Sequence, residues 1–157
     1  MTKKSAGILM YRFREMKLQV FLVHPGGPFW ARKDKAAWSI PKGEFDDLEE
    51  PLEAAKREFQ EETGMPVTGD VINLGEVKQP GRKIIYVWAV EGDCDPAAIK
   101  SNTFEMQWPP KSGKYKSFPE VDKAGWFSLG AAREKLHKGQ VVLVDRLAEA
   151  LGVAFDS

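Results

Sequence analysis

The sequence predicts an α/β or α+β layered domain, and three observations support this fold class. Strand-like segments lie before and after one central segment that has the apolar spacing of a helix. Two further helix-like segments lie near the C-terminal end. Clusters of glycine and proline separate the segments at short intervals, as expected for connections within a single compact domain.

The strands of the first half are short apolar runs bounded by turn residues. Ser5 to Phe13 and Leu18 to His24 are predicted to form two strands joined by a turn. The second strand ends at Pro25-Gly26-Gly27-Pro28, which contains four strong breakers of regular structure. Trp38 to Ile40 is predicted to form a further short strand before the central helix.

The second half of the chain continues with the same kinds of segment. The predicted elements are strands at 71–78, 83–91 and 124–128 and amphipathic helices at 129–137 and 142–151. The segment from Asp95 to Lys116 is polar and contains Pro109-Pro110 and several lysines, so we predict that it is mostly loop.

The composition bounds the class of protein. A chain of 157 residues with 43% hydrophobic residues is expected to form one soluble domain over residues 1–157. Its 23 basic and 23 acidic residues balance, so net charge predicts neither a nucleic-acid polymer nor a membrane as partner. Cys94 is the single cysteine, which excludes an internal disulfide and is typical of a reducing, cytoplasmic location. The sequence leaves the oligomeric state open.

The central helix is predicted over Pro51 to Thr63. Proline is tolerated in a first helical turn because its missing N–H has no helical partner there. Gly64 follows the last helical residue and can adopt the left-handed conformation that ends many helices. Phe59 lies on the apolar face that should pack against the core.

Three carboxylates of this helix share neighbouring positions beside the apolar face. Glu58 and Glu62 are four residues apart, and Glu61 adjoins both. One interpretation is an ordinary solvated acidic helix. The other is that the carboxylates are partly shielded and bind a hard divalent cation such as Mg²⁺ or Mn²⁺, which prefers clustered oxygen ligands and commonly bridges to substrate phosphates.

The segment from Gly43 to Met65 resembles the Nudix box, the signature of the Nudix hydrolases. The fixed positions of that pattern are occupied by Gly43, Glu49, the run Arg57-Glu58-Phe59-Gln60-Glu61-Glu62 and Gly64, with apolar Met65 at the end. The preceding residues 38–42 also resemble the family's lead-in strand and turn. The resemblance implies an α/β/α sandwich with a mixed central sheet and a catalytic loop-helix.

The resemblance also implies roles for individual residues. Glu58, Glu61 and Glu62 would bind Mg²⁺, with Mn²⁺ as a possible substitute, and the backbone carbonyl of Gly43 or its neighbour would be a further ligand. Arg57 would form an ion pair with Glu49 that holds the loop against the helix.

A later loop of the family often supplies another glutamate, as a metal ligand or a general base. Glu120, six residues before Trp126, fits that pattern, and its alternative is an exposed loop carboxylate. The attacking water must lose a proton to a carboxylate, and the sequence leaves Glu61 and Glu120 as alternatives.

Substrate contacts are expected from side chains around the box. Lys42, Arg32 and Tyr86 are the candidates for substrate binding, and each is alternatively an ordinary surface or core residue. Two loops are candidates to flank a polyphosphate, and they carry Lys33, Lys35, Lys111, Lys114 and Lys116. Trp30 and Trp108 are the tryptophans best placed to stack on a base.

The resemblance favours a small nucleotide substrate over any polymer. The lead-in segment and the chain length favour the MutT-like and dinucleoside polyphosphate hydrolase-like branches, and hence a nucleoside triphosphate or a dinucleoside polyphosphate. Pro80, fifteen residues after Met65, favours the alternative of ADP-ribose or a nucleotide sugar. An alternative from another class is a non-catalytic module that binds nucleotides.

Overall fold

The computed structural model describes residues 3–153, so residues 1–2 and 154–157 of the predicted domain lie outside the described residues. The strands are β1 (Lys3–Arg14), β2 (Lys17–Pro25), β3 (Lys42–Glu44), β4 (Val71–Gln79), β5 (Lys83–Glu91), β6 (Thr103–Gln107), β7 (Tyr115–Pro119) and β8 (Val121–Ser128). The helices are α1 (Pro51–Thr63), α2 (Leu129–Lys135) and α3 (Val142–Leu151), and short 3-10 turns lie at Pro96–Ala98 and Lys138–Gln140.

Six strands form one mixed sheet in the order β4-β5-β1-β2-β8, with β3 paired to β1. β1 and β5 are parallel, whereas the other pairs are antiparallel. The first part of β1 pairs with β3 through Ser5–Gly7, and its last part pairs with β2 through Tyr11–Arg14. β1 therefore changes partners along its length. The segment before β3 contacts β2 through an isolated bridge between Ser39 and Val23.

Two apolar layers cover the sheet, one on each face. Ala55 and Phe59 of α1 are fully buried against one face, where the Phe59 ring lies 6.1 Å from that of Phe21. Leu143 and Leu147 of α3 are buried on the other face together with residues of α2. The predicted α/β/α sandwich with a mixed sheet is confirmed. None of the helices in residues 3–153 is long and apolar enough to cross a membrane.

The predicted bounds of two helices, α1 and α3, are confirmed. α1 spans Pro51–Thr63 and ends at Gly64, whose φ of 80° is in the left-handed region. α3 also has the predicted bounds.

Two segments differ from their prediction. Trp38 to Ile40 makes only isolated bridges rather than a strand, and the regular strand begins at Lys42, because β1 offers its free edge there. The sequence predicts mostly loop from Asp95 to Lys116, whereas this segment contains β6 and the first two residues of β7, which form a two-stranded hairpin. Packing of the rings of Phe104 and Phe118, 6.0 Å apart across this hairpin, compensates for its polar composition.

A buried amide fixes the segment that leads into the box. Gln140 is only 1% exposed, and its Oε1 accepts a hydrogen bond from the backbone N–H of Ile40 (3.0 Å). Its Nε2 donates to Oγ of Ser39 (3.0 Å). A buried backbone donor without such a partner would cost about 1–3 kcal/mol, so Gln140 holds the approach to Lys42 and Gly43 in one conformation.

Candidate active site

Arg57 joins the loop before α1 to the helix itself. Its Nε and Nη2 donate to the two carboxylate oxygens of Glu49 at 2.7 and 2.9 Å, which is the bidentate geometry of a strong ion pair. The ion pair expected from the sequence is therefore present, and its hydrogen bonds hold the pKa of the Glu49 carboxyl below its usual range. The same guanidinium reaches Glu61 at 3.1 Å and Glu58 at 3.4 Å through Nη1.

Gly43 leaves room for the carboxylate of Glu58. A Cβ atom at position 43 would lie 2.0 Å from the carboxylate carbon of Glu58, far inside any van der Waals contact. The requirement for glycine at this box position is thus steric, because the backbone of β3 and a carboxylate of α1 occupy adjoining space.

Glu62 is held at the buried edge of the same cluster. Its Oε1 accepts a hydrogen bond from the backbone N–H of Lys42 at 3.2 Å. The pKa of Glu62 is raised to about 8, chiefly by burial and to a lesser extent by the charges of Glu58 and Glu120, against the opposing hydrogen bond and charge of Lys42.

Glu58 is perturbed in the same direction. Burial, followed by the charge of Glu61, raises its pKa to about 7, although Arg57 opposes the shift. The side chain of Glu58 is 13% exposed, compared with 35% for Glu61. The two box glutamates that border the apolar face are therefore the shielded ones, as their helical positions predict.

Glu120 is brought to α1 by a chain of backbone hydrogen bonds. The N–H of Asn102 donates to the carbonyl of Glu61, and the N–H of Glu120 donates to the carbonyl of Asn102, both at 2.8 Å. The carbonyl of Glu120 in turn accepts from Gly26 at 2.9 Å. Burial and the charge of Glu61 raise the pKa of Glu120 above its usual range, which shows that the carboxyl lies beside the helix.

The four carboxylates fit a hard divalent cation by their chemistry. Within residues 3–153, no three acidic, histidine or cysteine side chains are already arranged as a metal-ligand set. Arg57 contacts Glu58 and Glu61, and the Lys42 N–H donates to Glu62. Burial is the largest cause of the raised pKa values of Glu58, Glu62 and Glu120, and repulsion from neighbouring carboxylates adds to it. Clustered carboxylate oxygens are the donors that Mg²⁺ or Mn²⁺ prefers.

Comparison with known proteins decides the family. The family model of the NUDIX domain matches residues 1–147. The chain belongs to the NUDIX domain family. This confirms the family that the residues from Gly43 to Met65 predict.

A curated relative matches part of this chain. The Nudix chain is 33% identical over 103 residues to the 8-oxo-(d)GTP phosphatase of Mycolicibacterium smegmatis (strain ATCC 700084 / mc(2)155). The match covers 63% of this chain and 26% of the relative, so the chain matches about a quarter of the relative's length.

Solved structures with the same fold come from several organisms. The NUDIX domain of Shewanella oneidensis NrtR, complexed with ADP ribose, superposes with a TM-score of 0.67 at 16% identity, covering 96% of this chain and 89% of the other. A binary complex of C. elegans Ap4A hydrolase gives 0.64 at 18% identity, covering 96% and 98%. At these identities the likeness shows the fold alone.

The predicted substrate-binding residues are spread over three places in the Nudix domain. Lys42 lines a cleft of about 150 Å³ that Gly43 also lines. Tyr86 packs edge-on against Phe45, with ring centroids 6.2 Å apart, in a separate cleft that Glu49 lines. Arg32 is exposed in the loop after β2. Lys42 is thus the one of the three that the structure brings beside the box glycine.

Sequence reasoning missed a buried histidine at the end of β2. His24 is fully buried, and its Nδ1 lies 2.8 Å from Oδ1 of Asp122 while its Nε2 lies 2.6 Å from the carbonyl oxygen of Lys33. These two contacts connect the end of β2 with the loop that follows it and with β8. The available signal was a histidine at an inward position of an apolar strand, followed by glycines.

Cys94 does not have the properties of a nucleophile. Burial raises the pKa of its thiol to about 11, so the thiolate is scarce at neutral pH.

The substitution Gly43→Ala tests the contact between β3 and α1. The added Cβ forces the end of the Glu58 side chain to rotate away from β3 and from Arg57, so we expect a loss of up to about 1 kcal/mol in the free energy of unfolding, measured with urea. The control is Gly92→Ala, whose Cβ meets only the flexible Met10 side chain at 3.1 Å or more. Equal stability of the two variants would show that Gly43 is not sterically required.

The substitution Glu62→Gln tests the shielding of this carboxylate in metal-free protein. A carboxyl whose pKa rises from its unfolded value of 4.5 to about 8 binds more protons when folded, so its ionisation costs stability as the pH rises through that window. We therefore expect Glu62→Gln in EDTA to be more stable than the parent by about 1–3 kcal/mol at pH 8 and little changed at pH 5.

The readout is urea unfolding at both pH values. Glutamine still accepts the hydrogen bond from Lys42, so a change in stability reports the loss of the carboxylate charge. The matched control is Glu53→Gln on the exposed side of α1, which should leave stability within about 0.5 kcal/mol at either pH. If the stability of the parent relative to Glu62→Gln increased with pH, the raised pKa of Glu62 would be contradicted.

Proposed function

We propose that this Nudix domain hydrolyses a phosphoanhydride bond of a nucleotide and requires Mg²⁺, with Mn²⁺ as a substitute. The observation that carries the proposal is the group of shielded carboxylates around Gly43, two of which have pKa values of about 7 and 8. Such a group is unfavourable in a structural role, since it costs folding free energy. It is useful where a cation and substrate phosphates have to meet.

Glu58, Glu61, Glu62 and Glu120, with the backbone carbonyl of Gly43, would hold the cation. When bound, Mg²⁺ neutralises charge on phosphate oxygens and lowers the pKa of bound water. Arg57 acts as a positioning residue, because its bonds to Glu49, Glu58 and Glu61 fix the loop and the helix relative to each other.

The proton of the attacking water goes to a carboxylate, and the surroundings favour Glu120 over Glu61. Both carboxylate oxygens of Glu61 accept hydrogen bonds from Arg57 at 3.1 and 3.2 Å, so they are less available to accept a proton from water. The raised pKa of Glu120 makes it a stronger base close to neutral pH. Its placement next to Glu61 through Asn102 keeps it within the same group.

The substrate is a nucleoside triphosphate or a dinucleoside polyphosphate. This choice is supported by the similarity to a protein named 8-oxo-(d)GTP phosphatase and by the shared fold with an Ap4A hydrolase. The location that fits a single reduced cysteine is the cytoplasm.

A second candidate is a domain that recognises ADP-ribose or a nucleotide sugar, with or without cleavage. The observation that favours it is the superposition on the NUDIX domain of NrtR, which was solved with ADP ribose. The complete set of box glutamates favours cleavage over binding alone.

The activity test is an incubation of the purified protein with Mg²⁺ and a substrate panel. The panel contains nucleoside triphosphates, oxidised dGTP, diadenosine polyphosphates, ADP-ribose and nucleotide sugars, and anion-exchange chromatography resolves the products. Cleavage should stop in EDTA and fall at least about a hundred-fold in Glu62→Gln, because charge stabilisation in the transition state is lost. The exposed Glu53→Gln variant should keep the parent rate.

Two outcomes of that panel would count against the proposal. Turnover that persists in EDTA would exclude a role for the cation. Binding of a nucleotide without turnover of any compound would favour the recognition domain.

A further inference from the structure

Two clefts meet at Gln79, at the end of β4. One is the cleft of about 150 Å³ that contains Gly43 of the box. The other has a volume of about 930 Å³ and lies between the loop after β2, the turn between β4 and β5, and the turn after α2. Gln79 lines the first cleft, and its Nε2 lies 3.3 Å from Nδ1 of His137, which lines the second. The two clefts are therefore neighbours.

Lysines dominate the charge of both clefts. The first is lined by Lys3, Lys42 and Lys83, and the second by Lys33, Lys35 and Lys138. The acidic residues among the lining are Glu44 in the first cleft and Asp34 in the second. Asp34 is already bonded to Lys135 and to the indole N–H of Trp38, so it neutralises little of the lysine charge facing the cleft. The excess positive charge is suited to a chain of phosphates.

The larger cleft also offers an aromatic surface. Trp30 lines it and is 37% exposed, and the ammonium group of Lys33 lies 5.0 Å from the centre of its ring. An exposed indole beside a cation can stack on a nucleobase while the lysine contacts the adjoining phosphate. The remaining wall is largely apolar and includes Pro80.

Buried contacts fix the wall that carries Trp30 and Lys33. The backbone carbonyl of Lys33 is bonded to the fully buried His24, which is bonded in turn to Asp122. Asp122 follows Glu120 by two residues. The loop that lines the larger cleft and the turn that bears the late glutamate are therefore held by one buried side chain.

We propose that the two clefts form one binding path for a chain of three or more phosphates that ends in an aromatic base at Trp30. This inference rests on the proposed function, because it takes the bond to be cleaved as the one beside Gly43. Each phosphate of the chain carries about one negative charge, so a diphosphate link would leave most of the six lysines unused. The path therefore selects nucleoside polyphosphates over ADP-ribose and nucleotide sugars.

The test compares diadenosine tetraphosphate with ADP-ribose in kinetics and in binding. The variants are Trp30→Leu and the double variant Lys35→Met with Lys138→Met, and the control is Lys17→Met at the exposed start of β2. We expect the parent to have a higher kcat/KM for diadenosine tetraphosphate than for ADP-ribose. Both cleft variants should raise KM about ten-fold or more with kcat within about two-fold, because binding energy far from the reacting bond is lost. The control should change neither constant.

Binding of a tetraphosphate analogue with methylene bridges, measured by calorimetry, makes the test independent of cleavage. The cleft variants should raise the Kd of the analogue about ten-fold, and added salt should weaken binding to the parent more than binding to the double lysine variant. A parent that prefers ADP-ribose, or cleft variants that bind the analogue as the parent does, would overturn the path and leave the proposed hydrolysis intact. Analogue binding that depends on the cleft without any Mg²⁺-dependent turnover would support the path and reject the hydrolysis.

Discussion

Glu58 and Glu62 of α1 lie at the border of an apolar layer, and the cost of keeping their charge there governs the site. Burial is the largest cause of both raised pKa values, and neighbouring carboxylates add to it. Arg57 and the N–H of Lys42 relieve only part of the excess charge. The fold accepts this cost because the adjoining apolar face of the helix, with Phe59, is well packed. A bound divalent cation would remove the repulsion and contribute binding free energy instead.

The rest of the architecture places β3, with Gly43, and the turn that bears Glu120 beside that helix. The change of partners along β1 opens the sheet where β3 carries Gly43 past Glu58. Gln140 holds the segment before β3, and Asn102 links Glu61 to the turn that bears Glu120. These links are hydrogen bonds between residues far apart in sequence, so each forms only when the whole sandwich is assembled.

The sequence predicted the features that depend on local chemistry. The bounds of α1 follow from Pro51 and Gly64 together with the apolar spacing, and the shielded positions of Glu58 and Glu62 follow from the helical repeat. The placement of Glu120 beside α1 agrees with the geometry, but its role stays a prediction. The hairpin of β6 and β7, and the clamp formed by His24, depend on distant partners that short-range patterns do not reveal. For the same reason the sequence proposed Tyr86 and Arg32 as substrate contacts but did not predict where they lie in the fold.

Electron paramagnetic resonance of Mn²⁺ titrated into the metal-free protein measures the central interaction most directly, because it separates bound ions from free ions without a substrate. The account predicts saturable binding that Mg²⁺ displaces and that Glu62→Gln weakens at least about ten-fold, whereas Glu53→Gln binds as the parent does. Binding that is equally strong in the parent and in both variants would place the ion elsewhere and contradict the account.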